Sequence, residues 1–218
     1  MTYQIAIDGP AGAGKSTIAK AVAKKMGYIY VDTGAMYRAM ALYLLRKGIG
    51  ADEPEKISAA SHDADITIVY KDGLQQVLLN GENVTGLLRT EEVGNMASAS
   101  SVNKDVRLKL VELQRALAER ENVVMDGRDI GTYVLPKANV KVYLTASSAC
   151  RAKRRFDELK EKGETCDLAA IEADIIERDK RDMEREFAPL RQAEDATYVD
   201  SSNMTIDEVI AAITDLIH

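Results

Sequence analysis

A chain of 218 residues, 46% of them hydrophobic, can build one α/β domain with a real core and a small insertion, but hardly two full domains. Its formal net charge of −6 argues against a broad nucleic-acid surface and a polynucleotide partner, while local basic clusters can still hold small anions. Cys150 and Cys166 form no Cys-x-x-Cys pair and have no histidine beside them, and His62 and His218 are the only histidines; a disulfide framework, a structural zinc site and histidine catalysis all lack support.

In chain order, Tyr3 to Asp8 gathers Ile5, Ala6 and Ile7 as a buried parallel strand does. That apolar run is too short for an export signal, and no run of about eighteen apolar residues follows. A cytoplasmic address with reduced thiols is expected. Next comes Gly9-Pro10-Ala11-Gly12-Ala13-Gly14-Lys15-Ser16-Thr17, a complete Gly-x-x-x-x-Gly-Lys-Ser loop, and then Ile18, Val22 and Met26 at helical spacing up to Gly27. Strand, loop and helix are the setting that a nucleoside triphosphate site requires. The glycines let backbone N–H groups converge on phosphates, Lys15 brings a point charge to the β/γ oxygens, Ser16 offers a hydroxyl to Mg²⁺, and the helix points its positive end at the same anion.

A second strand, Tyr28 to Val31, leads into Asp32-Thr33-Gly34-Ala35-Met36-Tyr37-Arg38, which brings hydroxyl, phenol and guanidinium groups to the start of a helix. Arg38 suits bidentate capture of an acceptor phosphate. Asp-Thr-Gly also occurs in aspartic proteases, but neither a second such element nor a largely β pattern is present. Further on, Ile66 to Tyr70, Asp72-Gly73, Gln76 to Leu79 and Asn80-Gly81 predict consecutive hairpins. Asp63 to Leu88 is thus expected to form a small antiparallel insertion, either shaping an acceptor pocket or serving as decoration.

Val106, Leu110, Leu113 and Leu117 make a helix stripe. Val123-Val124-Met125 then delivers Asp126 to the sheet edge that carries the phosphate loop, where it reads as a Mg²⁺-linked aspartate or as a cap for the turn. Gly127, Arg128 and Asp129 follow at the same edge, where open α/β sheets bind ligands. After the strand Val140 to Leu144, Arg151, Lys153, Arg154 and Arg155 open a helical stretch ending near Gly163, a candidate lid over transferring phosphates or an ordinary exposed helix. Arg178, Asp182 and Arg185, with Arg181 nearby, share a helix face. They can grip phosphate and ribose; taken alone, they read better as a surface ladder, because Glu177, Asp179, Lys180, Glu184 and Glu186 indicate a solvated helix. A last strand at Tyr198 to Val199 precedes a closing helix with Ile206, Val209, Ile210, Ile213 and Ile217 on one stripe and a Thr205/Glu208 capping box.

Gly9 to Thr17, Asp32 to Arg38, Asn95-Met96-Ala97-Ser98, Arg107, Asp126-Gly127-Arg128-Asp129-Ile130-Gly131 and Arg178 to Arg185, taken together, resemble the bacterial cytidylate kinases over nearly the whole chain. The resemblance implies a P-loop parallel sheet flanked by helices, with a small antiparallel β insertion and a helical lid. The implied division is a core of 1–32, 99–147 and 186–218, a nucleoside-monophosphate region of 33–98, and a lid of about 148–170. It further implies that Ser98, Arg107 and Asp129 read cytosine, that Arg38, Arg128, Arg178 and Arg185 hold the acceptor phosphate, that Asp182 holds the ribose, and that Thr33 and Tyr37 line the same pocket. Lys15, Arg128, Arg178 and Arg185 become the catalytic set, Gly9 to Thr17 with Arg154 and Arg155 the ATP site, and Ser16 and Asp126 the Mg²⁺ ligands. A carboxylate at Asp129 accepts from the cytosine amine and repels the uracil carbonyl. The expected reaction is Mg²⁺-dependent, direct transfer from ATP to CMP or dCMP by a monomer. Two rivals are a small-molecule hydroxyl kinase, which would want a carboxylate base where this chain offers arginines, and a slow GTP switch. The latter has only Asn103-Lys104-Asp105, one residue short of Asn-Lys-x-Asp.

Overall fold

The computed structural model describes residues 2–217; His218, the second histidine, lies outside them. The chain divides into two compact units, Tyr3–Tyr28 with Val123–His218, and Met1–Thr2 with Ile29–Asn122.

In the first of these, β1 (Gln4–Asp8), β6 (Val123–Gly127), β7 (Val140–Thr145) and β8 (Thr197–Asp200) lie in the order β6-β1-β7-β8, all parallel. Ile5, Ala6, Ile7, Val123, Val124 and Met125 are fully buried, as the unbroken apolar runs of a sheet covered on both faces demand. α1 (Lys15–Met26) packs on β6 and against α8 (Ile206–Thr214), while α6 (Ser148–Glu161) packs on α7 (Leu168–Glu184). Register pairs Ile7 with Asp126 and Asp8 with Gly127, so the chain leaves β1 and β6 at one edge. The capping box at Thr205 and Glu208 is present. Of the closing stripe, Val209 and Ile213 are buried whereas Ile206 is 57% exposed, and Ile217 falls beyond the end of α8.

The other unit opens with β2 (Ile29–Asp32) and carries α2 (Thr33–Arg46), α3 (Pro54–Asp63), α4 (Glu91–Ser100) and α5 (Lys104–Arg120). Its core joins Met36, Met40 and Leu44 of α2 to Val93 and Met96 of α4, and to Val106 and Leu110 of α5. The expected hairpins are β3 (Ile66–Lys71), β4 (Leu74–Leu79) and β5 (Glu82–Asn83), an antiparallel sheet in that order. Both turns have left-handed backbone, with φ of 53° and 74° at Asp72 and Gly73 and of 50° and 81° at Asn80 and Gly81, the conformation that Asp-Gly and Asn-Gly pairs adopt most cheaply. Ile66, Val77 and Leu79 put the sheet's apolar face into the unit's core. Among the described residues no helix is long and apolar enough to cross a membrane.

Candidate active site

The phosphate loop occupies the segment between β1 and α1. Its first glycine has no substitute, because a Cβ on Gly9 would lie 1.9 Å from the Leu144 carbonyl oxygen on β7, inside van der Waals contact. Lys15 is 6% exposed and its Nζ donates to the Pro10 carbonyl at 2.7 Å. Burial, and then Arg128, hold its ammonium well below the ordinary lysine range, with Asp126, Asp8 and Asp182 pulling the other way. A buried cation in a curled loop of N–H groups is completed by an anion that brings its own negative charge. Ser16 Oγ donates to Asp126 Oδ2 at 2.8 Å, which brings the helix hydroxyl and the strand-end carboxylate together.

Around this loop the unit gathers ion pairs that span the chain. Arg128 Nε donates to Asp182 Oδ2 at 2.7 Å, and Arg185 places Nη2 3.3 Å from Asp129 Oδ1 and Nη1 3.8 Å from Asp182 Oδ1. Asp182 is buried, yet its carboxyl stays below the usual range; burial works against the charge, and Arg128, Arg185 and Arg178 prevail over it. Arg128 is in turn held charged, with burial opposed by Asp182 and Asp126. Asp182 and Arg185 are 6% and 8% exposed. The reading of this helix face as a solvated ladder therefore fails, since packing of the face removes it from water. Arg185 is not helical: α7 ends at Glu184, and Arg185 caps it with extended backbone. It turns back to donate through Nε to the Ala188 carbonyl at 2.8 Å.

Three further residues are tied to this cluster. Asp8, at the end of β1, is 4% exposed and accepts from Ile130 N at 2.8 Å and Gly131 N at 2.7 Å. Burial lifts its carboxyl to about 7, with Asp129 adding to the rise and the two N–H bonds and Lys15 opposing it. Arg151 of α6 and Asp179 of α7 form a buried pair at 2.7 Å. Arg151 Nη1 also donates to the Ala11 carbonyl at 2.8 Å, and Asp179 accepts from Ala11 N at 3.2 Å. Asp179 was among the residues that suggested a solvated helix; it is instead 8% exposed. Asp8 carried the same strand-end signal as Asp126. Arg151 and Asp179 had no such signal, because their common partner lies in the loop, 140 and 168 residues away. The other two arginines of α6 serve different partners. Arg154 Nη2 donates to the Ser201 carbonyl at 2.8 Å, and Arg155 pairs with Glu158 at 2.9 Å.

In the other unit, Asp32 caps α2, its side chain accepting from Ala35 N at 2.9 Å. Thr33 is buried, and Arg38, half-buried one turn further on, makes no hydrogen bond or ion pair among the described residues. Arg107 is fully buried on α5, with its guanidinium 5.3 Å from the centre of the Tyr37 ring and Nη1 donating to the Ser101 carbonyl at 3.2 Å. Ser98, on α4, is 9% exposed.

A Gly-x-x-x-x-Gly-Lys-Ser loop joining strand to helix at the edge of a parallel sheet, with a hydroxyl–carboxylate pair at its mouth, defines a P-loop nucleotide-binding protein of the α/β class. Two solved structures share the fold: an uncharacterized protein from Eubacterium ventriosum, with a TM-score of 0.54, 15% identity and coverage of 100% of this chain and 98% of that one, and a gluconokinase from Sinorhizobium meliloti, with 0.50, 15%, 98% and 91%. At that identity the likeness speaks for the fold alone. The family model described as cytidylate kinase matches residues 5–218. Curated relatives named cytidylate kinase include that of Caldicellulosiruptor saccharolyticus, 54% identical over 214 residues, 98% of this chain and 95% of the relative, and that of Bacillus subtilis, 47% identical with the same coverages. The chain belongs to the cytidylate kinase family.

Proposed function

We propose that the protein transfers the γ-phosphoryl group of ATP directly to CMP, and to dCMP, giving ADP and the nucleoside diphosphate. The reading is carried by full-length membership of the cytidylate kinase family, in a chain whose phosphate loop stands beside the Arg128–Asp182–Arg185 cluster. Gly9 to Thr17 hold the donor phosphates through backbone N–H groups, with Arg154 and Arg155 on α6 completing the donor side. Lys15 moves from the Pro10 carbonyl to the β/γ oxygens. Mg²⁺ carried by ATP would sit on Ser16 and Asp126, where it would screen the donor phosphates. One hydroxyl and one carboxylate already 2.8 Å apart fit a cation that keeps several waters and takes its remaining ligands from phosphate.

On the acceptor side Arg38, Arg128, Arg178 and Arg185 neutralise the CMP phosphate, Asp182 receives the ribose, and Thr33 and Tyr37 line the pocket. Ser98, Arg107 and Asp129 read the base, the Asp129 carboxylate accepting from the exocyclic amine of cytosine. Side chains do not need to remove a proton, because the attacking phosphate oxygen is largely anionic at neutral pH, its second pKa lying near about 6. The protein supplies alignment and positive charge so that two anions approach in line.

Incubation with MgATP and each nucleoside monophosphate in turn, with nucleoside diphosphate measured, tests this. CDP and dCDP should form fastest. Transfer only to a sugar hydroxyl, or GTP hydrolysis without any acceptor, would refute it.

A further inference from the structure

The turn after β6 divides its work between two carboxylates. Asp129 occupies the N-cap of the Ile130–Val134 turn, with φ −144° and ψ 24°, yet its side chain makes no capping bond. An aspartate at such a position ordinarily folds onto the N–H groups two or three residues ahead of it, of which the first is here that of Gly131. That N–H and its neighbour on Ile130 are instead taken by Asp8, from 123 and 122 residues away in the chain, at 2.7 and 2.8 Å. The fit is close, since a Cβ on Gly131 would stand 3.4 Å from Asp8 Oδ2 and 3.2 Å from Lys141 Cδ. With its own turn capped from β1, Asp129 is not drawn onto its backbone, and its Oδ1 faces Arg185 Nη2 at 3.3 Å. The residue after Asp8 is Gly9, so one carboxylate joins the start of the phosphate loop to the turn that carries Asp129.

We propose that Asp8 is a positioning residue for base selection: by capping Ile130 and Gly131 it keeps the Asp129 carboxylate out of local capping and in register with the phosphate loop. This role rests on the reading of Asp129 as the acceptor for the cytosine amine. Without Asp8, two buried N–H groups need an acceptor, and the nearest carboxylate in sequence is that of Asp129. Its short side chain makes such local bonds readily. Once turned inward, it no longer discriminates cytosine from uracil. The effect of Asp8 therefore passes through Asp129 and vanishes where Asp129 is already altered.

The test compares kcat/KM for CMP and UMP in the parent, Asp129→Asn, Asp8→Asn, Asp8→Ala and the double variant Asp8→Asn/Asp129→Asn, each checked for folding by thermal unfolding. The CMP-to-UMP ratio should fall about tenfold in Asp8→Asn, the change that corresponds to about 1.4 kcal/mol, and further in Asp8→Ala, which keeps no acceptor oxygen. In the double variant the ratio should match that of Asp129→Asn, because coupled residues are not additive. If Asp8→Ala does not fold, the isosteric Asp8→Asn decides. A lowered ratio in Asp129→Asn beside a parental ratio in folded Asp8→Asn overturns the inference and leaves the base reading standing, as do independent, multiplying losses in the double variant. A parental ratio in Asp129→Asn overturns the base reading itself and this role with it.

Discussion

Lys15 and Asp8 are both buried against their charge, and each gives a measurable consequence. The ammonium of Lys15 is held low by burial, a state that donor phosphates relieve, so the side chain contributes where negative charge gathers during transfer. Lys15→Ala should keep the fold and lower kcat by about two to three orders of magnitude; near-parental turnover in a folded variant would exclude that role. Asp8 binds its proton more tightly in the folded chain, at about 7 against an ordinary 3.8. A raised carboxyl stabilises the folded state fully below the unfolded value, and that contribution is lost as pH rises from about 4 to about 7. Urea unfolding across this window should show the parent losing a few kcal/mol that Asp8→Asn does not lose. Parallel pH curves for the two proteins would show that Asp8 titrates normally.

Two contacts between elements govern what the loops can hold. The Arg151–Asp179 pair joins α6 and α7 to both polar groups of Ala11 in the phosphate loop. Removing one member leaves a buried charge, so Asp179→Ala should lower stability by about 3 kcal/mol and raise KM for ATP. Replacing both by apolar residues, Arg151→Met with Asp179→Leu, should restore most of the stability while KM for ATP stays high; full recovery of both would make the pair purely structural. In the other unit, Gln75 of β4 grips the backbone of Asp32, accepting from its N–H at 2.8 Å and donating to its carbonyl at 3.3 Å. Asp32 in turn caps the helix that carries Thr33 and Arg38. The antiparallel sheet thus buttresses the proposed acceptor helix, which its hairpin sequences alone left undecided between pocket and decoration. Gln75→Ala should raise KM for CMP several-fold, about what one or two lost hydrogen bonds produce, with kcat at saturation and KM for ATP held. Equal effects on both substrates would place the contact outside acceptor binding.

At the scale of the molecule, a chain of net charge −6 gathers guanidinium groups beside its phosphate loop, which suits an acceptor that is itself an anion. The acidic limb of kcat/KM for CMP should follow the second pKa of the acceptor phosphate when an analogue shifts it, under saturating MgATP. A limb that stays fixed, and disappears on substitution of Asp126 or Asp129, would mean a protein base. The sequence by itself determined the phosphate loop, the strand-end Asp126, the Asp-Gly and Asn-Gly hairpins and the Thr205/Glu208 cap, because each depends on residues adjacent in the chain and on local backbone geometry. Only the tertiary structure decided that Asp179, Asp182 and Arg185 are buried, that Arg151 belongs to the phosphate loop, and that Asp8 caps the turn of Asp129. Their charges look solvated along one helix or one strand. What withdraws them from water is a partner on another segment, 54 and 56 residues away for Asp182 and Arg185 and 122 to 168 residues away for Asp8, Arg151 and Asp179, and periodicity within one segment carries no information about what packs against it.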